Sequence, residues 1–295
     1  MFRQEENIYN RVFGSILATF LWIANFIFDM VGKKSAKIKI FKKKISLARR
    51  TFQLFKNPLG IIFTGSSLPL TDLYLRNGLV FRVAKKDVAI PSIAEVWWHR
   101  VYGNLDHLKG VSSPVIIDIG AHVGSFTLLA LNTFPTASLY SFEPDPVGYA
   151  CLVENVRLNH FASRCVAVNK AVCGDSAPRT FYVRSENSPS NGLFPPRNAA
   201  VSSQVSVACT TLADILNDYH ILACDLLKID AQIAEYEIVL KTPERYFRKI
   251  RSIVLEYHII NLPNYKPEML FGFLRRQGYE ITFNEAARVL TAIRP

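Results

Sequence analysis

Two carboxylates and a pair of glycines carry the first chemical signal in this chain. Asp118, Gly120 and Gly124 fall in Asp118-Ile-Gly-Ala-His-Val-Gly124, directly after the apolar run Val115-Ile116-Ile117. Glu143 closes the next strand-like run, Leu139-Tyr140-Ser141-Phe142, 19 residues beyond Gly124. Strand, glycine turn, helix, strand and acid is the order of a nucleotide-binding βαβ unit. The glycines let backbone approach a ligand closely, and the helix start after Gly124 offers free N–H groups. Gly120, Ala121, His122 and Gly124 form the turn that would hold the nucleoside, and Glu143 is placed to accept from both ribose hydroxyls. The spacing is D-x-G-x-x-x-G, not G-x-G-x-x-G. An acid inside the turn is a poor neighbour for a pyrophosphate and a good one for a sulfonium. The motif therefore favours S-adenosylmethionine over NAD as cofactor.

A second set of ionisable groups stands where two later strands end. The buried run Leu226–Asp230 (LLKID) ends in Asp230, and Ser252–Tyr257 (SIVLEY) brings Glu256 and His258 to its end. Glu235 lies about one helical turn past Asp230. Open α/β sheets bind ligands beyond the carboxyl ends of their strands, so Asp230, Glu256 and His258 are candidates to hold or take a proton. Glu235 has a simpler reading, as an acid stabilised at a helix N-terminus. His258 has one too, as a histidine satisfied at a strand end. The five cysteines are scattered, with no C-x-x-C and no Cys/His zinc spacing, so no metal is expected and the thiols read as buried hydrophobes in a reducing compartment.

The elements that would position these groups follow from periodicity. Asp72–Val83 reads as a hairpin turning at Asn77-Gly78. Ser92–Leu108 reads as a helix, with Tyr102 near its end able to cover the nucleoside or simply pack. Helix Val147–His160 follows Glu143, and Arg164–Val172 reads as a third strand whose end, Ala171-Val172, should lie near the adenine. Strands Arg179–Arg184 and Gln204–Thr210 flank the Ser-, Pro- and Asn-rich loop Ser185–Ala200, whose length suits a substrate lid. A short helix starts near Thr211–Asp214. Helices Ala234–Leu240 and Pro267–Gln277 alternate with the later strands, and Tyr279–Phe283 and Val289–Ile293 close the chain. This alternation implies an α/β fold: a doubly wound, mostly parallel, Rossmann-like sheet with an antiparallel C-terminal edge.

The chain has 295 residues and a net charge of +11, but that charge is local. Residues 1–60 carry twelve Lys/Arg against three Asp/Glu, and residues 61–295 carry twenty-three against twenty-one. A nucleic-acid-binding catalytic domain is not indicated. Residues 12–28 form an uncharged apolar run, and residues 33–50 hold nine Lys/Arg and no acid. An apolar helix followed by a polybasic segment suits an anchor on an anionic, cytoplasm-facing membrane surface; a helix packed on protein is the alternative. Three segments are thus expected: the arm 1–50, a lead-in subdomain 51–110 and a catalytic domain 111–295.

Beyond these local signals, the chain resembles the FkbM-type S-adenosylmethionine-dependent methyltransferases. The resemblance rests on Asp118–Gly124, Ser141-Phe-Glu-Pro-Asp-Pro146, Glu154-Asn-Val-Arg-Leu-Asn159 and Asn169-Lys-Ala-Val172, followed in order by Thr211-Leu-Ala-Asp214, Leu227-Lys-Ile-Asp230 and Ile253-Val-Leu-Glu256. It covers roughly residues 70–295. It implies a class I methyltransferase fold and O-methylation of a hydroxyl on a sugar, glycan or secondary metabolite; from their places at strand ends, Asp230 or His258 would be the base or orienter of that hydroxyl. The family usually shows Asp-x-Glu-Gly-x-Glu after the Lys-Ile-Asp strand; here Gln232 and Ile233 replace the middle acid and the glycine. A catalytically degenerate, cofactor-binding relative is therefore an alternative, and an NAD-dependent oxidoreductase a more distant one.

Overall fold

The computed structural model describes residues 53–56, 70–84, 86–183, 191–195, 201–260 and 265–295. The expected apolar helix and polybasic segment, and most of the loop Ser185–Ala200, lie outside these residues. The chain divides into two compact units, Met1–Ser67 with Leu73–Leu79, and Leu68–Asp72 with Val80–Pro295. In the first, Lys56 N–H donates to the Tyr74 carbonyl at 2.7 Å and Arg76 N–H to the Leu54 carbonyl at 2.9 Å. Strands β1 (Thr71–Tyr74) and β2 (Val80–Val83) flank the Asn77-Gly78 turn, where Gly78 takes φ +99°.

The second unit is built on a seven-stranded sheet. Its strands are β3 (Val115–Ile119), β4 (Ser138–Phe142), β5 (Cys165–Val168), β10 (Leu226–Ile229), β11 (Ser252–Glu256), β12 (Glu280–Asn284) and β13 (Val289–Ile293), in the order β12-β13-β11-β10-β3-β4-β5. The first five in sequence run parallel. β13 runs antiparallel to both β11 and β12, so the closing pair forms the expected antiparallel edge, with the reversed strand one position in from the rim. Between these strands come α2 (Ser125–Thr133), α3 (Pro146–Leu158), α4 (Leu212–Asp218), α5 (Glu235–Lys241), α6 (Glu244–Phe247) and α7 (Pro267–Arg276). Ile117, Ile119, Leu227, Ile229, Ile253 and Leu255 are buried on one face and Ile116, Leu226 and Val254 on the other, the near-continuous apolar pattern of a sheet covered on both faces. Each such side chain stabilises the fold by roughly 1.5–3 kcal/mol through burial.

Three elements depart from the sequence expectation, each for a local reason. Helix α1 spans Lys86–Trp97, not Ser92–Leu108. Pro91 is carried inside it, and the chain breaks after Trp97 where Arg100, Gly103 and Leu105 adopt positive φ. The expected third strand divides into β5 and β6 (Ala171–Cys173). At the break, Asn169 turns its side-chain amide onto the Glu143 and Pro144 carbonyls, and Ala171 N–H leaves the sheet to bond Ala208. The run Gln204–Thr210 likewise divides into β8 (Ser203–Val207), which pairs with β7 (Arg179–Val183), and β9 (Cys209–Thr211), which pairs with β6. Thr211 then caps α4 with a reciprocal Asp214 capping box, as its position suggests.

One buried side chain ties this frame to the glycine turn. Asn155 of α3 accepts from Arg82 N–H at 2.6 Å and donates to the Val123 carbonyl at 2.8 Å. Among the described residues, no helix is long and apolar enough to cross a membrane.

Candidate active site

The ends of β3, β4 and β10 meet at a cavity. Because β3 lies between β4 and β10, the turn after β3 is flanked by Glu143 on one side and Asp230 on the other. Gly120, Ala121, His122, Glu143 and Ala171 all line the cavity, as do Asp230 and Gln232. Gly120 has to be glycine: at its φ of +77° a Cβ would stand 1.8 Å from the Asp230 carbonyl oxygen. Gly124, at φ +86°, supplies the left-handed turn into α2 and lies behind the wall.

Glu143 is held rigidly at the β4 tip. One carboxylate oxygen accepts from His122 N–H at 2.7 Å and the other from Asp145 N–H at 2.8 Å. Burial nevertheless pushes this carboxyl up to about 8, against the two amide bonds that favour its charged form. Each carboxylate oxygen keeps acceptor capacity beyond these bonds, and Glu143 lines the cavity.

Asp118 does not belong to the wall. It is fully buried, its carboxylate 3.1 Å from the Lys228 ammonium and accepting from Thr127 Oγ1 at 2.7 Å. The reason is register: Asp118 of β3 stands opposite Lys228 of β10, so their side chains share one face of the sheet. The expectation of a free acid aimed at a cationic ligand is thereby corrected, since Lys228 neutralises it. Lys228 also donates to the Gly120 carbonyl at 2.8 Å and lines the cavity itself.

On the far side of the turn, Asp230 accepts from Tyr102 Oη at 3.0 Å and from Gln232 Nε2 at 3.2 Å. Tyr102 is therefore a positioned donor in the wall, and its phenol is pushed well above its ordinary range by burial and by the Asp230 charge. Glu235, Glu256 and His258 do not line the cavity; they stand behind Asp230. Ligand atoms of Asp230, Glu256 and His258 lie within 4.8 Å of one another, a spacing that one water or one cation could bridge. Glu235 is fully buried and accepts from His258 N–H at 2.9 Å and contacts His258 Nδ1 at 3.0 Å. Its place at the start of α5 fits the macrodipole reading, and the imidazole gives it a second partner.

Sequence reasoning did not single out Lys228, Phe181, Asn191 or Gly192 as wall residues. Lys228 carried a signal in Lys-Ile-Asp, because a lysine within a buried strand needs an anionic partner. Asn191 comes from the irregular loop and donates to Asp145 at 3.0 Å, a contact no local pattern encodes.

The turn after β10 stores strain. Gln232 takes φ +48° and Ile233 φ +89°, the latter a conformation rare for a β-branched residue. Replacing Ile233 with glycine is expected to cost less than about 1 kcal/mol, because strain relief of about 1–3 kcal/mol offsets the lost packing. Ile238→Ala in α5, where the backbone is unstrained, should cost about 2–5 kcal/mol. Equal losses in thermal unfolding would show that no strain is stored.

A doubly wound sheet with a cavity over its central strand ends, walled by a glycine turn and a strand-tip acid, is the arrangement of a class I methyltransferase. The methyltransferase FkbM domain model matches residues 118–281, more than half of the chain, which belongs to that family. The methyltransferase sdnD of Sordaria araneosa is 28% identical over 208 residues, covering 59% of this chain and 77% of its own length. The 31-O-demethyl-FK506 methyltransferase FkbM of Streptomyces tacrolimicus is 26% identical over 175 residues, covering 50% and 66% respectively. The 2-O-methyltransferase NoeI of Sinorhizobium fredii is 28% identical over 168 residues, covering 54% and 69%.

Proposed function

We propose that this protein uses S-adenosylmethionine to methylate a hydroxyl group of a small molecule or glycan. The observation that carries the reading is the pair of carboxylates flanking one glycine turn: Glu143 at the tip of β4 and Asp230 beyond β10, both on the wall of one cavity. The names of two relatives, a 31-O-demethyl-FK506 methyltransferase and a 2-O-methyltransferase, support oxygen as the acceptor atom.

The residues fit such a cofactor. Glu143 would accept the ribose hydroxyls, the Gly120–His122 backbone would lie against the nucleoside, and Ala171 and Val172 would border the base. When bound, the sulfonium supplies an electrophilic methyl group. The chain's own task is then to align the acceptor hydroxyl and receive its proton. Asp230 is the group we assign to that hydroxyl, oriented by Tyr102 and Gln232.

The test is transfer of labelled methyl from S-adenosylmethionine into a cell extract. Label that survives mild alkali, as an ether does and an ester does not, and that disappears with Asp230→Asn, is the expected result. A protein that binds S-adenosylhomocysteine yet transfers nothing would instead support the degenerate reading, which rests on the Gln232-Ile233 strain.

The Glu143 carboxyl makes a further expectation. Ribose hydroxyls favour its charged form, so binding near pH 7 should release a proton. Affinity for S-adenosylhomocysteine should rise toward tenfold per pH unit below about 8 and flatten above it. Calorimetry in buffers of different ionisation enthalpy reads this directly; a buffer-independent heat at pH 7 would refute it.

A further inference from the structure

The methyl-transfer reading leaves one step without a route. As the acceptor oxygen bonds the methyl carbon, its O–H electron pair stays on oxygen, the C–S pair returns to sulfur, and one proton must leave. Nothing is oxidised or reduced. Asp230 can take that proton, but both its oxygens already accept hydrogen bonds inside the wall, from Tyr102 and Gln232.

Behind Asp230 the structure holds a line of groups that reaches solvent. Glu256 and His258 leave β11 with their side chains 31% and 23% exposed, and His258 Nε2 stands 3.8 Å from Glu256 Oε1. Their ligand atoms lie within 4.8 Å of the Asp230 carboxylate. On its other side the imidazole is gripped. Glu235 Oε1 meets both His258 N–H and Nδ1, and Tyr236 Oη donates to the His258 carbonyl at 2.7 Å. Glu235 is wholly enclosed, and its second oxygen has no partner, so the whole of its hydrogen bonding goes to His258. That grip aims the His258 Nδ1–H at Glu235, as donor to its carboxylate, and leaves Nε2 on the side of Glu256.

We infer that Glu256 and His258 are the proton exit of the transfer site, and that Glu235 is the positioning residue that sets the His258 ring for it. This rests on the methyl-transfer reading. The proton passes from the acceptor hydroxyl to Asp230, from Asp230 through a bridging water to the Glu256–His258 pair, whose ligand atoms lie within 4.8 Å of its carboxylate, and from that pair to solvent. The charges facing the ring are Glu235 from α5, Asp230 from the end of β10 and Glu256 from β11, with Lys228 of β10 and Glu95 of α1 also acting on Glu256. Burial lowers the His258 imidazolium, and the three carboxylates outweigh it and hold it up to about 9. Burial and the Asp230 charge likewise push Glu256 up to about 8. A pair that retains protons near neutrality can accept one from Asp230 only by handing its own to water, which the exposed edges of both residues permit.

The experiment has two arms on the full chain. Histidine-labelled protein is followed by nitrogen NMR, with His258 assigned by its loss in His258→Gln. In the wild type the neutral ring should carry its proton on Nδ1. In Glu235→Gln the titration should fall by about one pH unit or more, with affinity for S-adenosylhomocysteine unchanged. In the labelled-methyl assay, His258→Ala and Glu256→Gln should slow transfer at least tenfold. Added imidazole should restore His258→Ala, and the wild-type rate should not depend on imidazole. An Nε2 tautomer, an unmoved titration in Glu235→Gln, or a His258→Ala rate that imidazole leaves unchanged would each overturn the inference. Loss of S-adenosylhomocysteine binding in the wild type would instead overturn the function on which it rests.

Discussion

Glu143→Gln should lose about two orders of magnitude in affinity for S-adenosylhomocysteine while keeping the fold. Two ribose hydroxyls bonded to a charged oxygen pair are worth about 1.5–3 kcal/mol each, so losing most of this amounts to about a hundredfold or more. Glutamine fails because both oxygens of Glu143 are already committed to backbone amides, His122 N–H on one and Asp145 N–H on the other. An amide keeps one acceptor and turns a donor toward the second N–H, so the turn loses a bond as well as the ligand. The stability of this variant relative to wild type should change with pH in a defined sense. A carboxyl raised to about 8 in the native protein keeps a proton that the unfolded chain gives up near 4.5. Wild-type stability therefore drains away as pH rises through that window, and the glutamine form is spared the loss. Thermal unfolding at pH 5.5 and 8.5 should show the variant gaining on wild type at the higher pH. Undiminished binding by calorimetry would remove Glu143 from the cofactor site.

The glycine turn and the acids at the tips of β4 and β10 could be read from the sequence because each signal is strictly local. A strand, a glycine turn and an acid at the next strand tip are fixed by short-range geometry, and the structure brings Gly120, His122 and Glu143 to one wall. Asp118 shows where local reasoning stops. In the chain it stands two residues before Gly120, but its neighbour in space is Lys228, 110 residues away, and only the β3–β10 register makes them partners. The conclusion drawn from that acid, a methyl donor in place of a dinucleotide, agrees with the family, yet the charge argument behind it does not hold. The break between β5 and β6 was hidden for a similar reason. Arg164–Val172 reads as one strand, but Asn169 finds its partners on the Glu143 and Pro144 carbonyls of another strand end. The strain at Ile233 was legible in outline, since a β-branched residue stands where the family has glycine. Its φ of +89° says that the backbone kept the glycine conformation and the side chain adapted.

Removing the Lys228 ammonium should be the most damaging single change in the described core. Lys228→Met leaves Asp118 at 0% exposure, with Thr127 as its remaining donor. Breaking one side of a buried pair costs about 3–5 kcal/mol, because the surviving charge has neither water nor partner. At about 2–4 °C per kcal/mol for a domain of this size, the midpoint should fall by roughly 10 °C. The double variant Asp118→Leu/Lys228→Met separates this cause from simple loss of packing. With both charges gone, Thr127 and Ser141 still bond each other at 2.9 Å, and most of the stability should return. Cofactor affinity should not return with it, since Lys228 also ties down the Gly120 carbonyl at 2.8 Å and so holds the turn against the cavity. Recovery of both properties would reduce the pair to a charge-neutral filler. Recovery of stability alone means that the buried pair exists to shape the turn, which accounts for two charges kept inside a strand pair where leucine and methionine would fold as well.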